Sequence, residues 1–320
     1  MRAYVTGASG FVGRYLVPFL RAAGDEVLAP GADDGTPTTD ICSFDDISAA
    51  LHAARPEVVY HLAAQSDVRH SWDDPGGTFA INAQGTLNVV RAAIAAGVRR
   101  VLIVGSSDCY GAVSPQDLPL SEDSPLNPLT PYAASKIAAE VVARQWALAG
   151  SIETVATRSF SHTGPGQRAA FVVPVFAQRI RQAVADGSDK IAVGNLDPIR
   201  DFTDVRDVIA AYRLLMEHGA SGEAYNVCSG TGRSIREIAE GLIALSGHDI
   251  ELVVDDDLVR PVEVPQLVGS PAKLAAATGW APAIPFQQTL LDVYHDTRRA
   301  NNLSRRLRCP APVRPNPTFK

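Results

Sequence analysis

Ala3-Tyr4-Val5-Thr6-Gly7-Ala8-Ser9-Gly10-Phe11-Val12-Gly13 reads as a short strand running into three glycines, with a helical stretch, Tyr15 to Ala23, behind it. Gly7 permits a tight turn out of the strand, Gly10 lets backbone approach a pyrophosphate, and Gly13 lets the helix pack close on a sheet. The helix N-terminus then presents N–H groups and a partial positive charge to phosphate. The spacing is Gly-x-x-Gly-x-x-Gly rather than Gly-x-Gly-x-x-Gly. A glycine-rich turn without a ligand is the competing reading, and the strand–loop–helix context favours a dinucleotide.

Outward from this loop, strand and helix alternate. Strands are expected at Glu26 to Ala29, Val58 to Leu62, Val101 to Val104 and Thr154 to Arg158. Helices are expected at Ile47 to Ala54, Thr78 to Ala96 and Pro131 to Ala149, Gly97 closing the second of these. This rhythm predicts an α/β fold with a doubly wound parallel sheet covered by helices on both faces. After about residue 159 the rhythm changes: helices at Phe171 to Ala185, Val205 to Glu217 and Ile235 to Leu245, strands at Ile191 to Gly194, Ala224 to Cys228 and Ile250 to Val254. The strand at 224–228 is placed to return to the sheet. The division expected is a dinucleotide-binding domain over 1–160 plus about 200–230, and a smaller interleaved C-terminal lobe over about 161–199 and 231–302. The basic, proline-containing tail, 303–320, is expected to lack fixed structure.

Composition narrows the function. The 320 residues are 46% hydrophobic and 20% charged, an ordinary globular balance, with a formal net charge of −6. An acidic chain is a poor general partner for nucleic acid. No run approaches the roughly 18 apolar residues of a membrane span. The chain begins directly on a strand, so a cleavable signal is not expected. Its four cysteines are scattered without metal-ligand or disulfide spacing. A cytoplasmic protein without a metal centre is the expectation.

Candidate chemistry sits at strand ends. Tyr132 and Lys136 are four residues apart, one turn apart on one helix face. A lysine charge beside a phenol favours phenolate and lowers its pKa. Such a pair can move a proton to or from an alcohol or ketone. Gly105-Ser106-Ser107-Asp108-Cys109-Tyr110-Gly111 follows the 101–104 strand, so its hydroxyls emerge where open α/β sheets bind ligands. A serine there can hydrogen-bond a carbonyl or alkoxide, although serines also favour turns. Asp108 is open between base, hydroxyl acceptor and loop acid. His61-Leu62-Ala63-Ala64 ends a strand with small residues where a dinucleotide would cross, with Gln65 to Arg69 lining the site; a packed, satisfied His61 is preferred to a catalytic one. Neither an acid nor an arginine marks the end of the second strand, so NAD and NADP both stay open; Asp33 qualifies only if its loop folds back, and Asp40-Ile41 could flank an adenine.

Together these stretches resemble the extended short-chain dehydrogenase/reductase family over nearly all of the chain to about residue 300. The second half is similar to the branch of GDP-mannose 4,6-dehydratases and GDP-6-deoxy-mannose reductases, through Arg158-Ser159-Phe160-Ser161-His162-Thr163-Gly164-Pro165-Gly166-Gln167, Val193 to Asp207, Arg260-Pro261-Val262-Glu263-Val264-Pro265 and Gly279-Trp280. The resemblance implies a Rossmann-type domain and an NAD(P)-dependent nucleotide-sugar enzyme of deoxysugar biosynthesis. By it, Tyr132 is the acid/base, Lys136 orients the nicotinamide ribose, and Ser106 polarises the sugar C4 oxygen. Gly7, Gly10, Phe11, Val12, Asp40, Ile41, Leu62, Ala63 and Ala64 would also contact the cofactor. Arg200 and Arg260 would clamp the diphosphate, Glu263 would accept from the nucleotide ribose, and Ser107, Ser161 and Val172 would complete the substrate site. Taken singly, Arg200 and Arg260 could instead pair with Asp201 or Asp255 to Asp257. The family usually carries asparagine at the position of Ser161, and the dehydratases carry glutamate at the position of Asp108. The activity implied is reduction of the C4 ketone of a GDP-4-keto-6-deoxyhexose. The alternatives are a 4,6-dehydratase or 4-epimerase with tightly bound NAD and, more remotely, a non-catalytic dinucleotide sensor. The resemblance also implies a homodimer through helices 78–96 and 131–149, whose alanine-rich surfaces predict burial on more than one face.

Overall fold

In the computed structural model, which describes residues 1–32, 37–258 and 264–296, six strands form one parallel sheet in the order Glu26–Leu28, Arg2–Thr6, Val58–His61, Arg100–Val104, Glu153–Ser159, Glu223–Val227. The first and third strands in sequence are neighbours, and the chain winds outward in opposite directions from them. The crevice of such a sheet lies at that reversal, beyond the carboxyl ends of the strands. The glycine loop leaves one of these strands and Leu62-Ala63-Ala64 leaves the other, so the switch point sits between them.

Strand alternation explains the covering on both faces. Val5, Tyr60, Leu102, Val155 and Val227 pack with Leu16, Leu20, Tyr212 and Leu215 on one side. Tyr4, Val59, Val101 and Ile103 pack with Ile47, Leu51, Val89 and Ala93 on the other. The Glu223–Val227 strand does return to the sheet, carried there by the helix Val205–His218.

A second region is built around the strand Ile199–Asp204. It pairs antiparallel with Gly232–Ser234 and parallel with Gln266–Leu267 and with Ser161–Thr163. Lys190–Val193 and Glu251–Val254 pair separately. Helices Val172–Asp186, Ile235–Ser246 and Phe286–Tyr294 supply a further core around Phe176, Ile180, Ile238, Leu242 and Leu290. Asp201 ties this region to the main sheet. One carboxylate oxygen accepts from the Ser229 amide and hydroxyl, and the other accepts from the Gly230 and Gly269 amides.

Two expectations change here. The helix expected at 78–96 is three segments, Pro75–Phe79, a π-turn at Ala80–Gln84, and Gly85–Ala95. Asp74 caps its start by accepting from Gly77 N. A buried asparagine, Asn82, occupies the π-turn, where widened turns re-aim side chains. Burial on several faces holds for Gly85–Ala95, which buries Gly85, Thr86, Asn88, Val89, Val90, Ala92 and Ala93. Helix Pro131–Leu148 instead buries one stripe, Ala133, Lys136, Ala139, Glu140 and Ala143, while Val141 and Leu148 are 57% and 71% exposed. Its buried alanines lie on that stripe, Ile137 and Trp146 pack against the core from its edges, and Val141 and Leu148 face outward. The tail and the 259–263 segment, with Arg260 and Glu263, lie outside the described residues, as does Asp33.

Candidate functional site

Strand Arg100–Val104 ends at Gly105, whose amide donates to Thr157 O at 2.7 Å and whose absent Cβ leaves room for that carbonyl. Ser106 then turns the chain. Its Oγ accepts from Asp108 N at 3.2 Å and hydrogen-bonds the Tyr132 phenol. Tyr132 is placed by its own helix start: Thr130 Oγ1 accepts from Ala133 N at 3.1 Å, and Pro131 takes the first helical position. Lys136 follows one turn later and is buried.

The electrostatics differ from the expectation drawn from spacing. Burial, followed by the Asp108 carboxylate, pushes the Tyr132 phenol above its ordinary value, and the Ser106 hydrogen bond opposes them. Burial lowers Lys136 to about 8. Desolvation weighs on both charged forms, so the phenol shifts upward, opposite to the direction the spacing implies. His61 is a packed residue, as preferred. Thr6 Oγ1 and Thr86 Oγ1 satisfy its two ring nitrogens at 2.8 and 3.0 Å, and burial lowers its pKa to about 3.

The glycine loop is shaped for a phosphate-bearing ligand. Gly7 has φ +68°, and a Cβ there would lie 2.6 Å from Ala63 N and 2.9 Å from Leu62 C. Gly7 therefore serves both the turn and the close passage of Leu62 and Ala63. At Gly10 an added Cβ would meet only the Gly7 carbonyl, at 3.1 Å. Helix Gly13–Ala22 begins after Val12 without a side-chain cap; its Arg14 and Tyr15 amides donate to Gly10 O and Val12 O, so the partial positive charge of the helix start is what it offers an anion. Gly13 makes room for the Ala8 backbone inside the loop, where a Cβ would come within 2.6 Å of Ala8 Cα, rather than for a strand. Phe11 stacks on His162, with ring centroids 6.3 Å apart and planes within 5°. A cavity of about 160 Å³ beside the loop is lined by residues including Thr6, Ser9, Pro30, Thr38, Thr39 and Ala63. Ile41 is buried beneath Gly85, and its carbonyl accepts from Asn88, while Asp40 accepts from the Cys42 amide. These residues fit a dinucleotide: an open backbone cradle, an uncapped helix start, and a hydroxyl-lined cavity next to both.

Two groups of residues were missed from sequence. Asn82 Nδ2 donates to Ser135 Oγ at 2.9 Å and to Gln65 O at 3.0 Å, and its Oδ1 accepts from Gln65 N. Ser135 Oγ donates in turn to Tyr132 O. Asn82 thus ties the segment after Ala64 to the first turn of the Tyr132 helix; a polar pair, Asn82 and Asn88, in an apolar stretch was its signal. Glu140 continues the Tyr132-Lys136 spacing by one more turn. It meets Arg158 through Nη2 at 2.7 Å and Nε at 3.1 Å, and Arg158 also donates to Tyr110 Oη and Glu122 O. This buried network joins the helix, the sheet and the Ser106–Tyr110 turn.

The expected substrate residues are spread further. Ser107 is 4% exposed, within the turn Ser107–Tyr110. Ser161 lies in the strand Ser161–Thr163, opposite Phe202. Val172 opens the helix Val172–Asp186. Arg200 donates from Nη1 to Ile199 O at 2.9 Å and Pro265 O at 3.4 Å. Among the described residues no cluster of His, Cys, Asp or Glu could hold a metal ion, and no helix is long and apolar enough to cross a membrane.

A model of the NAD dependent epimerase/dehydratase family matches residues 3–228. The GDP-6-deoxy-D-mannose reductase of Pseudomonas aeruginosa is 38% identical over 297 residues, covering 92% of this chain and 96% of that protein. The GDP-6-deoxy-D-talose 4-dehydrogenase of Aggregatibacter actinomycetemcomitans is 30% identical, covering 87% and 92%. A solved structure of RMD from Pseudomonas aeruginosa complexed with NADPH superposes with a TM-score of 0.85 at 38% identity, covering 92% of this chain and 98% of that one.

Proposed function

This chain belongs to the NAD dependent epimerase/dehydratase family, and from that premise we propose that it reduces the C4 ketone of a GDP-4-keto-6-deoxyhexose with NADH or NADPH, giving GDP-D-rhamnose or its C4 epimer. The observation that carries the reading is the hydrogen bond between the Ser106 hydroxyl and a Tyr132 phenol held protonated by burial. A reductase needs a proton donor at the ketone oxygen; the raised pKa keeps the Tyr132 phenol proton-bearing, and the Ser106 hydrogen bond, which lowers that pKa, is the contact that eases release. The names of the relatives at 38% and 30% identity support C4 oxidoreduction on a GDP-linked 6-deoxy sugar.

In this reading the bound dinucleotide supplies the hydride. Ser106 and Tyr132 hold the ketone oxygen, and Tyr132 delivers its proton as charge develops there. Lys136, one turn away, holds the cofactor ribose and, charged below about pH 8, stabilises the phenolate left behind. Gly7, Gly10 and the uncapped start of helix Gly13–Ala22 hold the pyrophosphate. Residues 1–160 with about 200–230 form the cofactor domain. Residues about 161–199 and 231–302 form the nucleotide-sugar lobe, with Ser107, Ser161, Val172, Arg200, Arg260 and Glu263 as its contacts. Exposed Val141 and Leu148 support a homodimer through this helix and the one beside it. The free thiols Cys42, Cys109 and Cys228 fit the cytoplasm.

A 4,6-dehydratase is the second reading, favoured by the Asp108 carboxylate close enough to act on the Tyr132 pKa, where a C5 base would be wanted. Incubating the protein with GDP-mannose alone, and with GDP-4-keto-6-deoxymannose plus NADH or NADPH, separates the two by absorbance at 340 nm and mass spectrometry. Reductant consumption only with the keto sugar establishes the reductase. Water loss from GDP-mannose without reductant establishes the dehydratase and gives Asp108 the base role. Inactivity in both sinks the GDP assignment, with Ser161 as the first position to revert to asparagine.

A further inference from the structure

We propose that Arg233 is the second arm of a phosphate clamp whose first arm is Arg200, the two guanidiniums holding the diphosphate of a nucleoside diphosphate between them. The inference rests on the nucleotide-sugar reading and adds a residue that nothing in the family resemblance singles out.

Arg233 lies in the strand Gly232–Ser234, and the antiparallel register places it directly opposite Arg200. Opposite residues of such a pair project from one face about 4.5–5.5 Å apart at Cβ, where like charges destabilise the sheet. A pair of arginines at this position is therefore unfavourable for folding alone and favourable once an anion sits between them. Phe286 fixes the geometry. The Arg233 guanidinium stands 4.8 Å over its ring, and the same ring packs on Phe202, two residues along the strand from Arg200, with centroids 5.8 Å apart. Arg200, Phe202, Arg233 and Phe286 thus share one side of the sheet.

The buried Nε of Arg233 has no hydrogen-bond partner. A buried donor left unsatisfied is unfavourable, and a bound oxyanion removes that penalty. Guanidinium is the group suited to it: planar, always charged, and able to offer parallel N–H donors to phosphate oxygens.

The backbone around Arg233 is also held in advance of any ligand. Ser234 and Glu237 form a reciprocal cap at the start of helix Ile235–Ser246, the Ile235 amide donates to Pro198 O at 3.0 Å, and the Arg236 amide donates to Leu196 O at 2.9 Å. A guanidinium stacked on a ring and carried by a pinned backbone loses little freedom on binding, which is how preorganised sites gain affinity.

The test is calorimetric titration of the full chain with GDP, with NADPH as the control ligand for the other half of the molecule. Arg233→Gln is expected to weaken GDP binding roughly 10- to 100-fold, the size of a charge-assisted hydrogen bond to phosphate, and to leave NADPH binding unchanged. Arg233→Lys, which keeps the charge and the stem over Phe286, is expected to fall between Gln and wild type, and it carries the test if the Gln variant does not fold. Unchanged GDP affinity in Arg233→Gln overturns the proposal and leaves the nucleotide-sugar reading standing. A parallel loss of GDP and NADPH binding also overturns it, because it marks Arg233 as a cover for the Phe286 core. If wild type binds UDP or dTDP in place of GDP, the base assignment falls and the clamp is judged on that nucleotide. If wild type binds none of the three, the nucleotide-sugar reading and the clamp fall together.

Discussion

Around the glycine loop the chain makes its site largely from backbone, whereas around the strand Ile199–Asp204 it makes one from side chains. In the first region Gly7, Gly10 and Gly13 clear space for neighbouring main chain or for a ligand, and the helix start is tied to the loop by amide-to-carbonyl bonds to Gly10 and Val12. In the second, short strands from four separate stretches of sequence bring Ser161, Arg200, Arg233 and Gln266 onto one small sheet. The helix carrying Tyr132 and Lys136 belongs to the first region, and its buried Glu140 anchors it to the sheet through Arg158. The contrast teaches that the demand of a dinucleotide for close backbone approach leaves its mark in local sequence. The residues proposed to hold the sugar nucleotide are ones that only strand pairing brings together.

Five substitutions probe that division. The largest effect is expected at Tyr132→Phe, which removes the hydroxyl proposed to donate the proton while keeping the ring; kcat should fall by roughly 10²–10⁴-fold, the usual size of a general acid–base contribution, with NADPH affinity kept. Turnover near the wild-type rate would remove Tyr132 from the chemistry and leave the first region a binding site alone. Next comes Glu140→Ala. It strands the Arg158 guanidinium in a buried setting, and losing one partner of a buried pair costs about 3–5 kcal/mol; urea denaturation reads this directly. A loss well below that range would mean that Tyr110 and the Glu122 carbonyl hold Arg158 without the carboxylate.

Gly7→Ala is expected to cost at least about 1–2 kcal/mol from its left-handed backbone, and more from the contact with Ala63 and Leu62. Gly97→Ala is its control: φ is +72°, and nothing lies within 4 Å of an added Cβ. The difference in unfolding free energy between the two variants isolates the close passage at the switch point, and equal values would show that the passage yields without strain.

The smallest effect is pH-dependent. Burial holds Lys136 at about 8 in the folded chain, down from 10.5. Between those values the unfolded chain binds more protons at this site than the folded one. The Lys136 contribution to stability therefore rises with pH from about 8 to about 10.5, and is lost as pH falls through about 8. Unfolding wild type against Lys136→Met across that window should show wild type gaining relative to the variant as pH increases. A flat difference would mean the ammonium is better solvated than its burial implies.

What could be read from the residues follows from how local each signal is. The sheet strands, the main helices and the return at Glu223–Val227 show in hydrophobic periodicity, because a strand buried between two helical layers is apolar throughout. Ser106, Tyr132 and Lys136 show because strand end and helix turn are set within a few residues of each. Ser161–Thr163, Ile199–Asp204, Gly232–Ser234 and Gln266–Leu267 were not read as strands. Three of them are two or three residues long, and Ile199–Asp204 is polar at four of its six positions, its Asp201 buried to serve three loop amides. The π-turn at Ala80–Gln84 leaves a similarly weak local trace, and its Asn82 finds its side-chain partner in Ser135, far along the chain.

The sequence by itself determined the doubly wound sheet, the glycine loop and the Ser106, Tyr132, Lys136 set, since each rests on spacing within one strand–loop–helix unit. The tertiary structure alone decided three things. The Tyr132 pKa moves up rather than down, because the phenol is buried and the Asp108 carboxylate adds to the shift. Glu140 answers Arg158, because the helix lies across the sheet. Arg233 faces Arg200, because two short strands pair in one register. Each depends on desolvation or on contacts between distant residues, and neither has a local period to leave in the chain.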